Sequence, residues 1–253
     1  MRRPVFALVA IAAAGTVLAG VSTATAQVPR VVTALTISGN GPFDIRQSGK
    51  LTGFDIQLVE RMARLAGARD VTWRVVTFDN LLNAVDNGQA MMGASSITIT
   101  PQRAAIVDFG SPYLQANMGI VTRRGTTGIV SRRTLQGQVI GVLQGSTAVP
   151  VARGIQGARV RQYPTMQATY KALLDAQVNA VINDYGQSRW YVKNNSSKFR
   201  YAGVIAVNQQ YGLAFNQERD SLRVAMNRAL ATMKRDGSYQ LLINRWGLQS
   251  LMP

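Results

Sequence analysis

Apolar residues follow two alternating patterns along the first part of the chain, short continuous runs and longer stripes with helical spacing. The run from Val31 to Ile37 predicts a strand, and the stripe between Phe54 and Gly67 predicts a helix with one face in the core. Val71 to Val76 predicts a second strand, and a third begins at Gly93 after a short helix. An order of strand, helix, strand, helix and strand is typical of a parallel α/β sheet.

The same alternation returns in the second half of the chain. Tyr113 to Thr122 is extended, and Arg123 to Gly137 is basic, rich in turn residues and weakly periodic. A new series then begins with the strand Val139 to Val142 and includes a strand from Ala180 to Asn183, with helical stretches between and after them. We therefore expect two α/β lobes, with the chain passing from one to the other near Tyr113.

The first 26 residues have the features of a secretory signal peptide. Arg2 and Arg3 form a positive start, Val5 to Val21 is almost wholly apolar, and Ala24 to Ala26 form a small-residue cleavage site. A membrane anchor is the alternative, although this apolar run is short for a span. We expect residues 1–26 to be cleaved and the mature chain to be exported to the periplasm as a soluble protein.

Residue types that are missing from the sequence exclude several kinds of chemistry. The 253 residues include no cysteine and no histidine. Nucleophilic catalysis by a thiol, a Ser-His-Asp triad and metal sites built from thiolates or imidazoles are therefore excluded. We predict no catalytic residue, no metal and no cofactor.

The sequence is strongly basic. Its formal net charge is +16, or +14 without Arg2 and Arg3. Such a balance is compatible with nucleic acid or an anionic membrane surface as a partner. However, the densest basic clusters are the pairs Arg123–Arg124 and Arg132–Arg133, and no basic run is interleaved with aromatic residues as in single-strand binders. General attraction to anionic surfaces is the better interpretation, and we predict no nucleic-acid partner.

The stretch from Gly93 to Ser111 carries the strongest candidate for a ligand site. Thr100 and Pro101 form a helix start, with Thr as N-cap and Pro at the first helical position. Thr98 and Arg103 flank this start, so that a hydroxyl, strand-end backbone groups and a fixed cation lie close together. An arginine fork matches a carboxylate, and oxygen atoms at a strand end suit an ammonium. By itself, the stretch is also that of a simple helix cap beside a solvated arginine.

Eight short motifs along the mature chain bear on this choice. They are PF at Pro42–Phe43, GFDIQL at Gly53–Leu58, SSITITPQR at Ser95–Arg103, VDFGSPY at Val107–Tyr113, GVLQGST at Gly141–Thr147, NDYG at Asn183–Gly186, QQYGLAFN at Gln209–Asn216 and MKRDGSYQLLINRWG at Met233–Gly247. In this order and spacing they resemble the periplasmic proteins that bind polar amino acids for ABC importers, family 3 of the extracellular solute-binding proteins. The resemblance covers essentially the whole mature chain.

The resemblance implies a two-lobed periplasmic-binding-protein fold of type II, a Venus flytrap that closes over one ligand. Lobe 1 would comprise residues 27–112 and 212–253, and lobe 2 residues 118–206. Two extended hinge strands, at residues 113–117 and 207–211, would join the two α/β lobes. Ligands of such sheets bind in the cleft beyond the carboxyl ends of the strands.

The resemblance also implies roles for individual residues. Arg103 would hold the α-carboxylate of an amino acid, together with the backbone at Thr98 and Thr147 and the Thr98 hydroxyl. Asp184 would pair with the α-ammonium, assisted by the Ser96 carbonyl and Thr98. From the residues alone, Asp184 could equally be the N-cap of a helix.

The resemblance places five further residues around the side chain of the ligand. Phe78 would form an aromatic wall, which from the sequence alone could also be a core residue, and Leu143 and Asn183 would line the far side. Ile37 and Asn40 occupy positions where relatives often carry a charged selector and an aromatic lid. Because a buried unpaired charge is costly, this uncharged pocket predicts a neutral amino acid, with Asn40 or Asn183 available for a polar tip.

Three other functions remain open alternatives to an importer's binding protein. Cyclohexadienyl dehydratases share the scaffold and use a Glu three residues after the position of Asp184, where this chain has Gln187, which cannot act as a carboxylic acid. A binding protein that serves a membrane sensor would use the same recognition chemistry. A basic surface-adhesion protein would need only the charge. The interpretation we favour is a monomeric, non-enzymatic binding protein with a free amino acid and an inner-membrane ABC permease as partners.

Overall fold

The computed structural model describes residues 28–251, so the predicted signal peptide lies outside the described residues. The strands are β1 (Val31–Thr36), β2 (Ile45–Gln47), β3 (Lys50–Thr52), β4 (Asp70–Val75), β5 (Met92–Gly93), β6 (Asp108–Phe109), β7 (Leu114–Arg123), β8 (Val139–Leu143), β9 (Arg159–Tyr163), β10 (Ala180–Asp184), β11 (Phe199–Tyr211) and β12 (Ala214–Phe215). The helices are α1 (Phe54–Leu65), α2 (Phe78–Asp86), α3 (Pro101–Ala104), α4 (Ala148–Arg153), α5 (Met166–Leu174), α6 (Tyr185–Asn194), α7 (Asp220–Arg235) and α8 (Ser238–Trp246).

The first sheet has the strand order β4-β1-β5-β12-β6 and is the centre of lobe 1. β1 lies between β4 and β5 and is parallel to both, as the alternation of strands and helices predicts. β12 returns from late in the chain and pairs antiparallel with β5 and β6. Lobe 1 is therefore built from an early and a late part of the sequence.

The second sheet has the strand order β11-β7-β10-β8-β9 and is the centre of lobe 2. β8 is parallel to β9 and to β10, whereas β7 is antiparallel to β10 and β11. The strand ends of β8 and β10 therefore point in the same direction. This arrangement brings the segments that follow Leu143 and Asn183 to one edge of the sheet.

Two long strands connect the lobes. β7 and β11 pair antiparallel from Leu114 opposite Tyr211 to Arg123 opposite Phe199, with register shifts on the way. An isolated bridge between Thr98 and Tyr211 ties the end of β11 to lobe 1. The predicted hinge segments, residues 113–117 and 207–211, fall mainly at this end of the two strands.

The packing of α1 explains the GFD sequence at its start. Gly53 has a φ of 140°, and a Cβ there would lie 2.0 Å from the carbonyl oxygen of Phe43, so only glycine permits this approach. The chain then enters α1 with Phe54 and Asp55 fully buried. α7 and α8 cover the same helix, and their apolar faces complete the main core of lobe 1.

In residues 28–251, no helix combines the length and apolar character needed to cross a membrane.

Candidate functional site

The predicted site residues follow the carboxyl ends of parallel strands in both sheets. Asn40 follows β1 and Thr98 follows β5, while Thr147 follows β8 and Asp184 ends β10. Nine of the ten predicted residues line one small space of about 10 Å³ between the lobes. Its full lining is Asn40, Phe78, Ser96, Thr98, Arg103, Leu143, Ser146, Thr147, Asn183, Asp184 and Gln187.

Arg103 reaches from lobe 1 across this space. Thr100 caps α3 by accepting a hydrogen bond from the Arg103 backbone N–H (3.2 Å), which fixes the first turn. The guanidinium donates to the Thr98 carbonyl (2.8 Å) and to the Gly145 carbonyl of lobe 2 (3.1 Å). It also lies over the Phe78 ring, 5.4 Å from the centroid. The cation is therefore held in place and directed into the cleft rather than solvated on a helix surface.

Asp184 supplies the opposite charge from lobe 2. It occupies the N-cap position of α6, but its side chain makes no capping hydrogen bond. Its carboxylate instead accepts a hydrogen bond from Gln187 Nε2 (3.3 Å). Burial raises the pKa of Asp184 to about 6, while the neighbouring Tyr211 hydroxyl and Arg103 guanidinium act in the opposite direction. A bound cation would complete the environment of this carboxylate.

Hydroxyl groups from both lobes meet between these two charges. Thr98 Oγ1 and Thr147 Oγ1 are 3.4 Å apart. Ser96 has a φ of 44°, a left-handed conformation that is uncommon for serine, and strained residues of this kind gather at functional sites. Its hydroxyl accepts hydrogen bonds from Asn40 Nδ2 (3.1 Å) and from Gln187 Nε2 of lobe 2 (2.8 Å).

The lining of this space includes two residues that the sequence prediction omitted, and it lacks one residue that the prediction included. Gln187 and Ser146 line the space with the predicted residues. Gln187 lies three residues after Asp184 and on the same helix face, a spacing that would have indicated it. Ile37 does not line this space but belongs to a separate, larger cavity beside it. Phe78 is both a wall and a core residue, because it also packs against apolar clusters of both lobes.

The lobes also touch outside the central space. Gln144 Nε2 of lobe 2 donates to Asp79 Oδ2 of lobe 1 (2.9 Å). The Trp190 ring lies against Gly41, where a Cβ would come within 2.6 Å of the indole. Together with the bond from Arg103 to Gly145, these contacts hold the cleft in a closed arrangement.

Comparison with known proteins identifies this architecture. The profile of the bacterial extracellular solute-binding proteins, family 3, matches residues 32–249. The chain belongs to this family.

Within the described residues, no group of three or more acidic side chains is suitable for a metal ion.

Individual solute-binding proteins show the extent of the likeness. A probable histidine-binding protein of Campylobacter jejuni is 27% identical over 210 residues, which cover 82% of this chain and 81% of its own. The structure of an ancestral arginine-binding protein bound to glutamine is 30% identical, with a TM-score of 0.80, over 87% of this chain and 99% of the other. An ancestral amino-acid-binding protein described as a precursor of cyclohexadienyl dehydratase is 26% identical, with a TM-score of 0.76, over 86% and 95%. The predicted two-lobed fold is confirmed.

Two buried carboxyl groups support the cleft of this solute-binding protein from behind. Asp44 accepts a hydrogen bond from the Ser95 hydroxyl, and Asp55 accepts bonds from the Ser96 N–H (2.5 Å) and the Tyr113 hydroxyl (2.9 Å). Among the residues described, neither Oδ1 atom has a hydrogen-bond partner. Burial raises the pKa of Asp44 well above its usual range and that of Asp55 to about 7. The fold therefore favours their protonated forms.

We expect the solute-binding protein to become less stable as the pH rises from 5 to 8. A carboxyl group whose folded pKa is raised binds its proton more tightly in the folded state, so its contribution is present at low pH and disappears as the pH passes the folded pKa. For Asp55, this amounts to about 1–3 kcal/mol in the free energy of unfolding. Urea unfolding at pH 5.5 and pH 8.0 measures the difference.

No histidine or cysteine titrates in the same interval. Asp184, whose pKa is raised to about 6, adds to the slope with the same sign. Asp55→Asn keeps an acceptor for the Ser96 N–H and should remove a large part of the slope. Asp86→Asn, at the exposed end of α2, is the matched control and should leave the slope unchanged. A stability that increases from pH 6 to pH 8 would contradict the assignment.

Proposed function

We propose that this protein is the periplasmic substrate-binding component of an amino-acid ABC transporter and binds one free, neutral L-amino acid between its lobes. The observation that carries the proposal is the placement of Arg103 and Asp184, which come from opposite lobes and line the same space. An amino acid presents a carboxylate and an ammonium about one carbon apart. A site with one cation and one carboxylate matches that pair and no singly charged solute of the same size.

In this proposal, the ligand carboxylate binds the Arg103 guanidinium, the backbone at Thr98 and Thr147, and the Thr98 hydroxyl. The ammonium pairs with Asp184, assisted by the Ser96 carbonyl and Thr98. Charge-assisted hydrogen bonds contribute about 1.5–3 kcal/mol each, so that two or three of them support micromolar binding. The ligand therefore bridges the lobes with its two charged ends.

Binding also has to change the spacing of the lobes. The central space measures about 10 Å³, roughly enough for one water molecule. An amino acid enters only when the lobes separate, and its carboxylate then replaces the Gly145 carbonyl as a partner of Arg103. Because the ligand contacts both lobes only when they approach each other, it stabilises the closed arrangement.

The expected neutrality of the ligand follows from the residues beside the charged pair. Asn40, Phe78 and Leu143 line the space together with Arg103 and Asp184, and none of the three carries a charge. A cationic side chain would be buried there without a partner, which is unfavourable. Relatives with arginine-binding names show that the scaffold also accepts charged ligands. The expected neutrality of the ligand therefore rests on Asn40, Phe78 and Leu143 and not on the family.

A dehydratase on the same scaffold is the second candidate, supported by the likeness to a dehydratase precursor. The position that would need a carboxylic acid is Gln187, whose amide donates to Ser96 and Asp184. Both bonds use the amide as a donor, which an ionised glutamate could not replace. Incubation with prephenate or arogenate, followed by detection of an aromatic product, separates an enzyme from a binding protein.

The proposed function also includes a membrane partner, a cellular location and an oligomeric state for the protein. The mature protein is a periplasmic monomer that delivers its ligand to an inner-membrane permease, with lobe boundaries at residues 112, 118, 206 and 212. A pull-down with membrane proteins from the source organism distinguishes a permease from a sensor. Size-exclusion chromatography with light scattering measures the oligomeric state.

A thermal-shift screen against the twenty amino acids tests the central proposal. A ligand that binds only the folded protein raises the midpoint of unfolding in proportion to the logarithm of its concentration. We expect at least one neutral amino acid to produce a clear shift. The absence of any shift, confirmed by calorimetry, would reject the proposal.

A further inference from the structure

A second cavity, with a volume of about 350 Å³, lies beside the charged pair. We refer to it as the apolar chamber. Its floor is formed by three buried side chains, Ile37, Leu143 and Met166, and its rim includes Pro164 and Thr165, which are exposed. The complete lining is Ile37, Ser38, Gly39, Asn40, Val75, Val76, Thr77, Phe78, Leu143, Pro164, Thr165 and Met166.

The apolar chamber adjoins the space that Arg103 and Asp184 line. Asn40, Phe78 and Leu143 line both. These three residues come from both lobes, so the boundary between the two spaces lies at the junction of the lobes. A ligand whose charged ends are held by Arg103 and Asp184 can therefore extend a long side chain past these three residues into the chamber once the lobes separate.

The residues that line the apolar chamber determine which kind of ligand side chain it accepts. No lysine, arginine, aspartate or glutamate belongs to the described residues that line the chamber. The amide nitrogen of Asn40 already donates to Ser96 (3.1 Å), and the hydroxyl of Thr165 accepts the Ala168 N–H as the cap of α5 (3.1 Å). The amide nitrogen of Asn40 and the hydroxyl of Thr165 are thus engaged by the protein itself.

On the basis of the proposed function, we infer that the substrate is an amino acid with a large, uncharged and apolar side chain, which occupies the apolar chamber. Aromatic and long aliphatic side chains belong to this class. Small side chains leave the chamber unfilled, and polar or charged side chains lose hydration there without finding a partner. Each buried methylene group adds about fourfold to the affinity.

A third cavity, of about 260 Å³, is the alternative place for the side chain. Phe78 lines it as it lines the apolar chamber, and its other lining residues include Arg103, Asp79 and Gly145. Because Arg103 takes the carboxylate, this cavity lies behind the carboxylate end of the ligand. Its charged residues would in addition select a polar side chain. The third cavity therefore predicts a ligand with a polar side chain, whereas the apolar chamber predicts one with an apolar side chain.

Calorimetry with the mature protein tests the inference, with L-phenylalanine, L-leucine, L-methionine, L-alanine, L-glutamine and L-arginine as probes. We expect at least one of the first three to bind about 50-fold more tightly than alanine, in line with about three additional buried carbon atoms. Arginine and glutamine should bind at least about tenfold more weakly than that ligand, because their polar ends lose hydration in the chamber.

Two substitutions at Val76, a half-buried residue of the lining, test the location. Val76→Trp fills the chamber and should weaken leucine, methionine or phenylalanine binding at least about tenfold while alanine changes little. Val76→Asp should improve arginine relative to phenylalanine by at least about tenfold. Val204, an exposed valine on β11, provides the matched controls Val204→Trp and Val204→Asp, which should bind as the parent protein does.

The binding results distinguish a failure of the proposed function from a failure of the inference about the ligand side chain. If no amino acid binds, the proposed function fails, and the inference fails with it. If an amino acid binds but alanine, glutamine or arginine equals the large apolar probes, only the inference is overturned. An equal loss of alanine and leucine affinity in Val76→Trp, with unliganded unfolding unchanged, would likewise place the side chain outside the chamber.

Discussion

The Arg103→Ala variant should lose the ligand-induced thermal shift and still fold. In the proposed complex, the guanidinium makes two charge-assisted hydrogen bonds to the ligand carboxylate. Their loss corresponds to about 3–6 kcal/mol, or a decrease in affinity of about 150-fold to 20,000-fold. Calorimetry with the best ligand of the amino-acid screen measures this decrease, and the unliganded unfolding midpoint shows whether the fold is retained.

Retention of the fold is expected because of what Arg103 contacts. Its guanidinium is half-buried and bonds two carbonyl oxygens, those of Thr98 and Gly145, rather than filling the core. Arg103→Lys keeps the charge without the planar fork and should give an intermediate affinity. Arg46→Ala, which removes an exposed arginine from β2, should bind normally. Normal binding by Arg103→Ala would disprove the assigned role.

The Asp184→Asn variant should show the second large effect, a loss of affinity of about 10-fold to 100-fold. The amide has nearly the shape of the carboxylate, so it still accepts the hydrogen bond from Gln187, but it cannot form an ion pair with the ammonium. A hydrogen bond between charged groups is about twice as strong as a neutral one. Calorimetry at pH 7.5 gives the difference directly.

The pH dependence of binding identifies Asp184 more specifically than the loss alone. With a pKa of about 6 in the unliganded protein, the carboxylate that the ammonium needs is replaced by the neutral acid at lower pH. Affinity should therefore be constant above pH 7 and decrease about tenfold per pH unit below 6. The charges of the ligand itself do not change between pH 5 and pH 7.

In Asp184→Asn, affinity should be low and should no longer follow this profile. Asp108→Asn serves as the control, because that carboxylate lies on β6 and its nearest charged partner is Arg223. If the pH dependence persists in Asp184→Asn, another group, such as Asp55, must be responsible. The two variants measured together therefore assign the titration to one residue.

Local patterns in the sequence were sufficient for most of the secondary structure. The apolar run at Val31 and the stripe that follows Phe54 became β1 and α1, because the spacing of apolar residues reports directly which face of an element is buried. Thr100 and Pro101 likewise mark the start of α3. The motifs shared with the family gave the residues that meet in the cleft, since they specify positions and not only periodicity.

The roles of Asp184 and Asn40 illustrate what the sequence left undecided. Asp184 is at an N-cap position, as the simpler interpretation required, but only the structure shows that its side chain does not cap the helix. Asn40 was predicted to face a polar ligand tip, and only the structure shows that its amide nitrogen bonds Ser95 and Ser96 while its carbonyl oxygen is not part of these bonds. Both facts depend on side-chain partners and not on the type of residue.

The sequence by itself therefore determined the elements, the two-lobed fold through its motifs, and the pair of opposite charges. The tertiary structure alone decided that Asp44 and Asp55 lie buried behind the cleft, that Gln187 reaches Ser96, and that an apolar chamber opens beside the site. The physical reason is distance along the chain. The bonds from Asn40 to Ser95 and from Gln187 to Ser96 join residues 55 and 91 positions apart, and a local pattern carries no information on which distant groups share a buried space.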